Sequence, residues 1–114
     1  MFDIEQITGR TFKKRVLDSP VPVLVDFYAE WCSPCRVLTA VLERVGHEFD
    51  GRVRIVKVDA DIDRDLGDRF QVYSIPNLLL FNNGRLVSRS AGLVSEPKLR
   101  EMLTEVADKV EVSG

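Results

Sequence analysis

The sequence predicts an α/β fold, in which helices pack against both faces of a central mixed β-sheet. Two near-continuous apolar runs, at residues 22–29 and 53–58, are typical of strands that are covered on both faces. Two further runs flank the pair Asn83-Gly84, a strong signal for a type I′ hairpin because both turn positions need positive φ. We therefore expect a sheet that combines parallel strands with an antiparallel pair.

A helix is expected between the first two of these strands. Residues 36–49 carry apolar side chains at helical spacing, which would place on one face Leu38, Val41, Leu42, Val45 and Phe49. A strand–helix–strand unit of this length joins parallel strands through a right-handed crossover. The runs at 22–29 and 53–58 are therefore expected to lie parallel.

The helix after the second strand is expected at residues 62–70. Asp61 would be its N-cap, and its inward-facing residues would be Ile62, Leu66 and Phe70. Aspartates in the first turn suit the positive end of the helix dipole.

The C-terminal half continues with the two hairpin strands, at residues 77–82 and 85–90, and with a last helix. Ser95 would cap that helix, and Pro97 would lie in its first turn. The apolar stripe of this helix would consist of Leu99, Met102, Leu103, Val106 and Val110.

The N-terminal segment supplies a further strand at residues 2–7 and a first helix at residues 11–18. The expected order is a βαβαββα core with an additional N-terminal strand. A chain of 114 residues can bury a core without staples, so we expect one domain over 1–110 and a short tail at 111–114.

Composition and charge exclude several classes of function. The formal net charge of −2 leaves no basic surface for nucleic acid. No apolar run approaches the roughly 20 residues that span a membrane. The N-terminus carries acidic residues and no continuous apolar region, so we expect no signal peptide and a cytoplasmic protein. Structural disulfides are rare in that compartment, where a CxxC pair is more often catalytic or metal-binding.

Both cysteines lie in the segment YAEWCSPCRVL, at residues 28–38. Cys32 follows the first predicted strand and precedes a helix that begins near Ser33 or Pro34. Unpaired backbone N–H groups and a partial positive charge at that helix start would stabilise a thiolate. Cys35 lies about one turn deeper, and the two sulfurs can close a disulfide across that turn. The arrangement predicts an exposed attacking thiol at Cys32 and a buried resolving thiol at Cys35.

Two other interpretations of the cysteine pair are weaker. A structural zinc site needs about four ligands, but the chain has no second Cys/His pair. The one histidine, His47, would lie roughly 22 Å from Cys32 along the same helix, too far for a metal site or a Cys–His dyad. A purely structural disulfide across so short a loop would restrict the unfolded chain very little. A redox pair is therefore favoured.

Two charged residues interrupt the apolar runs. Burial of Asp26 in the first run would raise its pKa and make it a possible proton carrier near neutral pH. Lys57 in the second run would face Asp26 from the neighbouring strand. The alternatives are a solvated aspartate on an edge strand and a lysine whose ammonium reaches the surface.

Four sequence blocks point to one known family. They are VLVDFYAEWCSPCR at 23–36, KVDAD at 57–61, YSIPNLLLFNNGR at 73–85 and AGLVS at 91–95. In these blocks and in their order the chain resembles the thioredoxin family along almost its whole length. The resemblance implies the thioredoxin fold and a protein-disulfide reductase, an electron carrier in cell redox homeostasis.

The resemblance also implies the catalytic roles. Cys32 thiolate would attack a disulfide of a client protein, and Cys35 would resolve the mixed disulfide. Asp26 would help to deprotonate Cys35, with Lys57 as the charged neighbour of Asp26. A flavoprotein thioredoxin reductase would restore the dithiol, so FAD and NADPH belong to that partner. We expect no bound cofactor or metal on this chain, and a monomer.

A substrate-binding surface around Cys32 is a further implication of the resemblance. Pro76 would follow a cis peptide bond after Ile75 and leave the preceding backbone free to pair with a substrate strand. At Gly92 a side chain would obstruct a substrate that passes close by. The alternative for Trp31 is an ordinary core position. The expected surface comprises Trp31, Ser33, Pro34, Ile75, Pro76, Gly92 and Leu93.

Two positions depart from the family pattern. Ser33 replaces the usual glycine between the cysteines, and Asn77 replaces the threonine that commonly follows the proline. Ser33 would either donate a hydrogen bond that favours the thiolate or stiffen the turn, and Asn77 would change how the turn at Pro76 is held. Neither change removes a group that the reaction needs.

Two rival functions remain open. A disulfide oxidase or isomerase on the same fold often carries histidine at the position of Pro34, so a reductant is favoured here. A binding or scaffold module on this fold would still function without Cys32 and Cys35.

Overall fold

The computed structural model describes residues 4–113, with side chains described through residue 108. Its strands are β1 (Glu5–Gln6), β2 (Val23–Tyr28), β3 (Arg54–Asp59), β4 (Asn77–Asn82) and β5 (Arg85–Ala91). They form one five-stranded sheet in the order β1-β3-β2-β4-β5. β3 pairs in parallel with β1 and β2, whereas β4 runs antiparallel to β2 and β5 antiparallel to β4. The predicted mixed sheet is confirmed.

Helices cover both faces of this sheet. They are α1 (Gly9–Phe12), α2 (Ser33–Gly46), α3 (Arg64–Arg69) and α4 (Glu96–Ser113), with a π-helical segment (Lys13–Leu17) after α1 and a 3₁₀ turn (His47–Phe49) after α2. On one face, Leu38 of α2 and Leu103 of α4 pack with Leu24 of β2. On the other face, which α1 and α3 cover, Phe12 packs with Val25 of β2.

The double coverage explains why β2 is apolar almost throughout. Successive side chains of a strand point to opposite faces of the sheet, and every residue of β2 is buried. Full burial of a valine or leucine side chain stabilises the fold by about 1.5–3 kcal/mol. Both faces of β2 therefore contribute to the core.

The β4–β5 hairpin has the predicted turn. Asn83 and Gly84 both have positive φ, at 54° and 76°. A Cβ atom at Gly84 would lie 3.0 Å from the carbonyl oxygen of Leu17, closer than side chains normally approach. Position 84 therefore needs glycine both for its backbone conformation and for space.

Helix α3 begins later than predicted. Its N-cap is Asp63 rather than Asp61, and Ile62 is 69% exposed rather than inward-facing. The cause is the carboxylate of Asp59, which accepts hydrogen bonds from the backbone N–H groups of Asp61 and Ile62 at 2.9 and 3.3 Å. These bonds form a turn that occupies the residues expected in the first helical turn. The predictions for Asp61 and Ile62 were wrong, whereas Leu66 is buried as predicted.

The first strand and first helix are shifted from the predicted limits. Within the described residues the strand predicted at 2–7 is limited to β1, and residues 2 and 3 lie outside them. Helix α1 begins at Gly9, two residues before the predicted start, where the N–H of Thr8 donates to Thr11 Oγ1 at 3.2 Å.

The last helix starts as predicted. Ser95 Oγ accepts a hydrogen bond from the N–H of Lys98 at 3.3 Å, and α4 extends through Ser113, into the segment expected to be a tail. The side chain of Val110, predicted for the apolar stripe, lies outside the described residues. No helix in the described part of the chain is long and apolar enough to cross a membrane.

Candidate active site

The two cysteines lie where β2 ends and α2 begins. Cys32 is the N-cap of α2 and has an extended backbone, with φ −89° and ψ 106°. Pro34 lies in the first turn, where its missing N–H removes no helical hydrogen bond. Cys35 follows with its Cα 5.2 Å from that of Cys32, and the two sulfurs form a disulfide. The two thiols therefore meet across the first helical turn, as their spacing predicts.

The start of α2 places a hydrogen-bond donor against Cys32. The backbone N–H of Cys35 donates to Cys32 Sγ at 3.2 Å. Because this N–H belongs to the first turn and carries partial positive charge, it favours a thiolate at Cys32 over a thiol.

Both cysteines are buried in the disulfide form. Cys32 is 4% exposed and Cys35 is 1% exposed. Tyr28 and Ala29 pack in one cluster with the two cysteines, and the half-buried Ile75 packs against that cluster. The prediction of an exposed Cys32 was therefore wrong for this state, because neighbouring segments close over the sulfur.

Asp26 lies at the centre of β2 and is fully buried. Side-chain alternation places it on the same face as Leu24 and Tyr28, beneath α2. Neither carboxylate oxygen has a hydrogen-bond partner in the described structure. Burial raises the pKa of Asp26 from 3.8 to about 7, and the positive charge of Lys57 opposes part of that rise. A solvated aspartate on an edge strand is excluded, because β3 and β4 flank β2.

Lys57 is the register partner of Asp26 on β3. No ion pair joins the two side chains among residues 4–108. The ammonium of Lys57 instead lies 5.3 Å from the centre of the Tyr28 ring, which attracts it through a cation–π interaction. The half-buried Lys57 therefore acts on Asp26 through its charge alone, and Tyr28 helps to determine where that charge lies.

Two loops bring backbone groups next to the cysteines. The Ile75–Pro76 peptide bond is cis, and the carbonyl of Pro76 accepts a hydrogen bond from the N–H of Gly92 at 2.8 Å. Gly92 has a φ of +86°, which favours glycine, and no atom lies within 4 Å of the position that a Cβ would occupy. The space in front of Gly92 is therefore open.

Trp31 lies on the surface of the site. It is 69% exposed, so the alternative of an ordinary core tryptophan is excluded, and its indole Nε1–H donates to Asp61 Oδ2 at 2.8 Å. Leu93, which follows Gly92, is 58% exposed. The site therefore presents apolar groups to solvent.

Both departures from the family pattern make identifiable contacts. Ser33 Oγ accepts a hydrogen bond from Arg36 Nη2 at 3.1 Å, and Arg36 Nη1 donates to the carbonyl of Glu30 at 2.7 Å. Asn77 Nδ2 donates to the carbonyl of Ser74 at 3.3 Å, across the turn that contains the cis bond. Ser33 thus holds a neighbouring cation in place, and Asn77 holds the turn from within.

Three residues that the sequence interpretation left out of the site contribute to it: Tyr28, Arg36 and Asp61. Each lies in one of the four sequence blocks that carry the family resemblance, so its place in a block was the available signal. Asp61 was instead assigned to the cap of α3. In the described part of the chain, no group of three or more His, Cys, Asp or Glu side chains is arranged to hold a metal ion.

The assembled site combines a thiol pair that can close a disulfide with a buried acid of raised pKa and an exposed apolar surface. The electropositive start of α2 favours charge on one sulfur of the pair. A buried carboxyl with a pKa of about 7 can take up or release a proton at neutral pH. This arrangement is suited to exchange with a disulfide of another molecule.

Comparison with known proteins agrees with this chemistry. A family model described as Thioredoxin matches residues 3–105. The chain is 40% identical to Thioredoxin 1 from Nostoc sp. over 98 residues, which cover 86% of this chain and 92% of that protein. It is 38% identical to Thioredoxin C-2 from Corynebacterium nephridii over 102 residues, 90% of this chain and 94% of that protein. With the thioredoxin of Rickettsia felis the identity is 36% over 99 residues, 87% of this chain and 94% of that protein.

Proposed function

This chain belongs to the thioredoxin family and is a protein-disulfide reductase, and we propose that Cys32 is its attacking thiol and Cys35 its resolving thiol. The observation that carries this assignment is the hydrogen bond from the N–H of Cys35 to Cys32 Sγ at 3.2 Å. It favours negative charge on Cys32. Cys35, one turn deeper and 1% exposed, is the less accessible of the two sulfurs to a client protein.

The proposed reaction consists of two thiol–disulfide exchanges. Cys32 thiolate attacks one sulfur of a client disulfide, so a mixed disulfide forms and the second client sulfur leaves as a thiolate. Cys35 then loses its proton and attacks Cys32 Sγ, which releases the first client sulfur. The client gains two electrons and its two sulfurs are protonated, while the Cys32–Cys35 disulfide forms.

We assign the proton transfer at Cys35 to Asp26. The support is its position beneath α2 and a pKa of about 7, which allows the carboxylate to accept a proton at neutral pH. Lys57 lowers that pKa by its charge, and so keeps a larger fraction of Asp26 ionised.

We propose that clients bind in extended form over the surface around Cys32. The exposed indole of Trp31, the side chain of Leu93 and the open space at Gly92 support this role. The remaining residues proposed for the surface are Ser33, Pro34, Ile75 and Pro76. The backbone before Pro76 would pair with the client strand, since it lies beside the cysteine cluster.

The proposed partners are disulfide-containing client proteins and a flavoprotein thioredoxin reductase. That reductase would return two electrons from NADPH to the Cys32–Cys35 disulfide, so that this chain works as an electron carrier. We further propose that it acts as a monomer in the cytoplasm, where a reducing thiol pool suits a protein of this chemistry. Light scattering and cell fractionation test these two points.

Trapping of mixed disulfides tests the assignment of the two thiols. The variant Cys35→Ser is expected to accumulate covalent complexes with client proteins through Cys32, because the resolving thiol is gone. Cys32→Ser is the matched control and should trap none. Equal trapping by both variants, or by neither, would contradict the assignment.

Two measurements separate the rival functions. A reduction potential near that of a strong disulfide oxidant, measured against glutathione, would favour an oxidase or isomerase. A scaffold function would persist in the double variant Cys32→Ser, Cys35→Ser. If the protein acts as a reductase, that double variant should fail to accelerate the reduction of a protein disulfide by dithiothreitol.

A further inference from the structure

The guanidinium of Arg36 is fixed beside the attacking cysteine. Nη1 donates to the carbonyl of Glu30 at 2.7 Å and Nη2 donates to Ser33 Oγ at 3.1 Å. Glu30 precedes the Trp31-Cys32 pair and Ser33 follows it. One side chain therefore connects the two ends of the short segment that carries Cys32.

The positive charge of Arg36 has no carboxylate partner within 4 Å in the described part of the chain. Glu30 supplies only its backbone carbonyl, and the side chain of Arg36 is exposed. A guanidinium carries five N–H donors in a rigid planar fork. Two of them are used by Glu30 and Ser33, so the others are available to a ligand that approaches Cys32.

A carboxylate is the ligand that this group fits best. Guanidinium and carboxylate groups pair through two parallel charge-assisted hydrogen bonds. Because Glu30 and Ser33 already hold the Arg36 side chain, little of its conformational entropy remains to be lost when a partner binds. A client must bring its disulfide to Cys32, so its residues next to the attacked cysteine pass close to Ser33 and Arg36.

We propose that Arg36 determines specificity by favouring clients with a carboxylate beside the attacked cysteine, and that Ser33 is the positioning residue that holds Arg36. This inference rests on the proposed function, since it requires clients to react at Cys32. It gives the serine between the cysteines a function, because a glycine at that position would lack the acceptor oxygen. Selectivity should therefore depend on the hydroxyl of residue 33 as well as on the charge of residue 36.

Peptides with one cysteine joined to thiopyridine by a disulfide provide the test. Attack of Cys32 of the reduced protein on the peptide sulfur forms the mixed disulfide and releases pyridine-2-thione, whose absorbance gives the second-order rate constant of a single turnover. Glutamate or glutamine is placed in turn at the two positions on each side of the cysteine. We expect the glutamate peptide to react about twofold to fivefold faster at one or more positions, as for an exposed ion pair. This preference should shrink at high salt.

Variants then identify the source of the preference. Arg36→Gln should bring the glutamate-to-glutamine ratio to one, and Ser33→Gly should reduce it. Ser33→Thr keeps a hydroxyl at this position and should retain the preference for glutamate. Arg10→Gln changes the net charge equally at an exposed residue of α1 and should leave the ratio unaltered.

Three results would overturn the inference. They are the absence of a preference at every position, a preference that persists in Arg36→Gln, and an equal slowing of both peptides by Arg36→Gln. The last result would mean that Arg36 acts on the Cys32 thiolate and does not act on the client. Failure of the proposed function would look different, since the unaltered protein would then release thione from the glutamine peptides no faster than free cysteine does.

Discussion

The buried carboxyl of Asp26 should make the stability of this protein depend on pH, and Asp26→Asn should remove that dependence. Folding raises the pKa of Asp26 from 3.8 to about 7, through burial that Lys57 only partly offsets. Between these two pH values the folded state holds a proton that the unfolded state has released. Stability therefore falls as pH rises from about 4 to about 7, and the full penalty applies above that range.

The size of the effect follows from the same pKa. Each unit of difference corresponds to about 1.4 kcal/mol, so the ionised Asp26 costs the fold about 4 kcal/mol above pH 7. An asparagine is neutral at every pH. Its amide would be buried without a hydrogen-bond partner, as the carboxyl is, and the free-energy cost of that burial does not vary with pH. The difference in unfolding free energy between Asp26→Asn and the unaltered protein should therefore shift by about 4 kcal/mol in favour of the variant from pH 4 to pH 8.

Urea unfolding of the oxidised protein, followed by circular dichroism at pH 4, 6 and 8, measures this gain. Asp50→Asn, at an exposed aspartate, is the matched control and should show the pH dependence of the unaltered protein. If the difference in unfolding free energy between Asp26→Asn and the unaltered protein is the same at pH 4 and pH 8, the reasoning is refuted.

Three further predictions concern the surroundings of the disulfide. Lys57→Met should raise the pKa of Asp26 further, because it removes the charge that lowers it, and the decline in stability should then extend to higher pH in the same urea series. Gly92→Ala should lower the free energy of unfolding in urea by about 1–2 kcal/mol. The left-handed backbone alone would be the cause, since a Cβ there meets no atom within 4 Å. An unaltered free energy of unfolding would contradict this prediction. Asp61→Ala should lower the fluorescence anisotropy of Trp31, the only tryptophan, by removing its acceptor. The same variant should lose no more than about 1.5 kcal/mol of stability, and an unaltered anisotropy would contradict the prediction.

Much of the fold follows from local patterns. The segments that form β2 and β3 are apolar because helices cover both sides of the sheet. Such coverage requires apolar residues at successive positions, which can be seen in the sequence. The Asn83-Gly84 turn was predictable because few residues adopt positive φ at two successive positions. The face of α2 that carries Leu38 and Leu42 followed from helical periodicity alone.

The start of α3 shows where such patterns fail. Asp61 and Asp63 are both acceptable N-caps, and a sequence rule cannot choose between them. The choice depends on Asp59, whose side chain is 5% exposed and whose carboxylate binds two backbone N–H groups ahead of the helix. A local turn at Asp59, which the capping rule does not consider, thus decided which aspartate caps the helix.

The site likewise has features that the sequence predicted and one that it did not. Cys32 and Cys35 meet because they lie one turn apart on a single helix, so their spacing was sufficient. The shared face of Asp26 and Lys57 followed once their strands were expected to be parallel neighbours. The burial of Cys32 did not follow, because it depends on packing by Ile75 from a loop far along the chain.

The sequence by itself determined the thiol pair, the buried acid and the mixed sheet, because each depends on spacing within one element or on an apolar run. Only the tertiary structure decided the partners of the polar side chains: Trp31 with Asp61, Arg36 with Ser33 and the carbonyl of Glu30. Each of these groups has several acceptors within reach in an unfolded chain. The acceptor that each group binds depends on how neighbouring segments pack, so local periodicity in the sequence does not predict it.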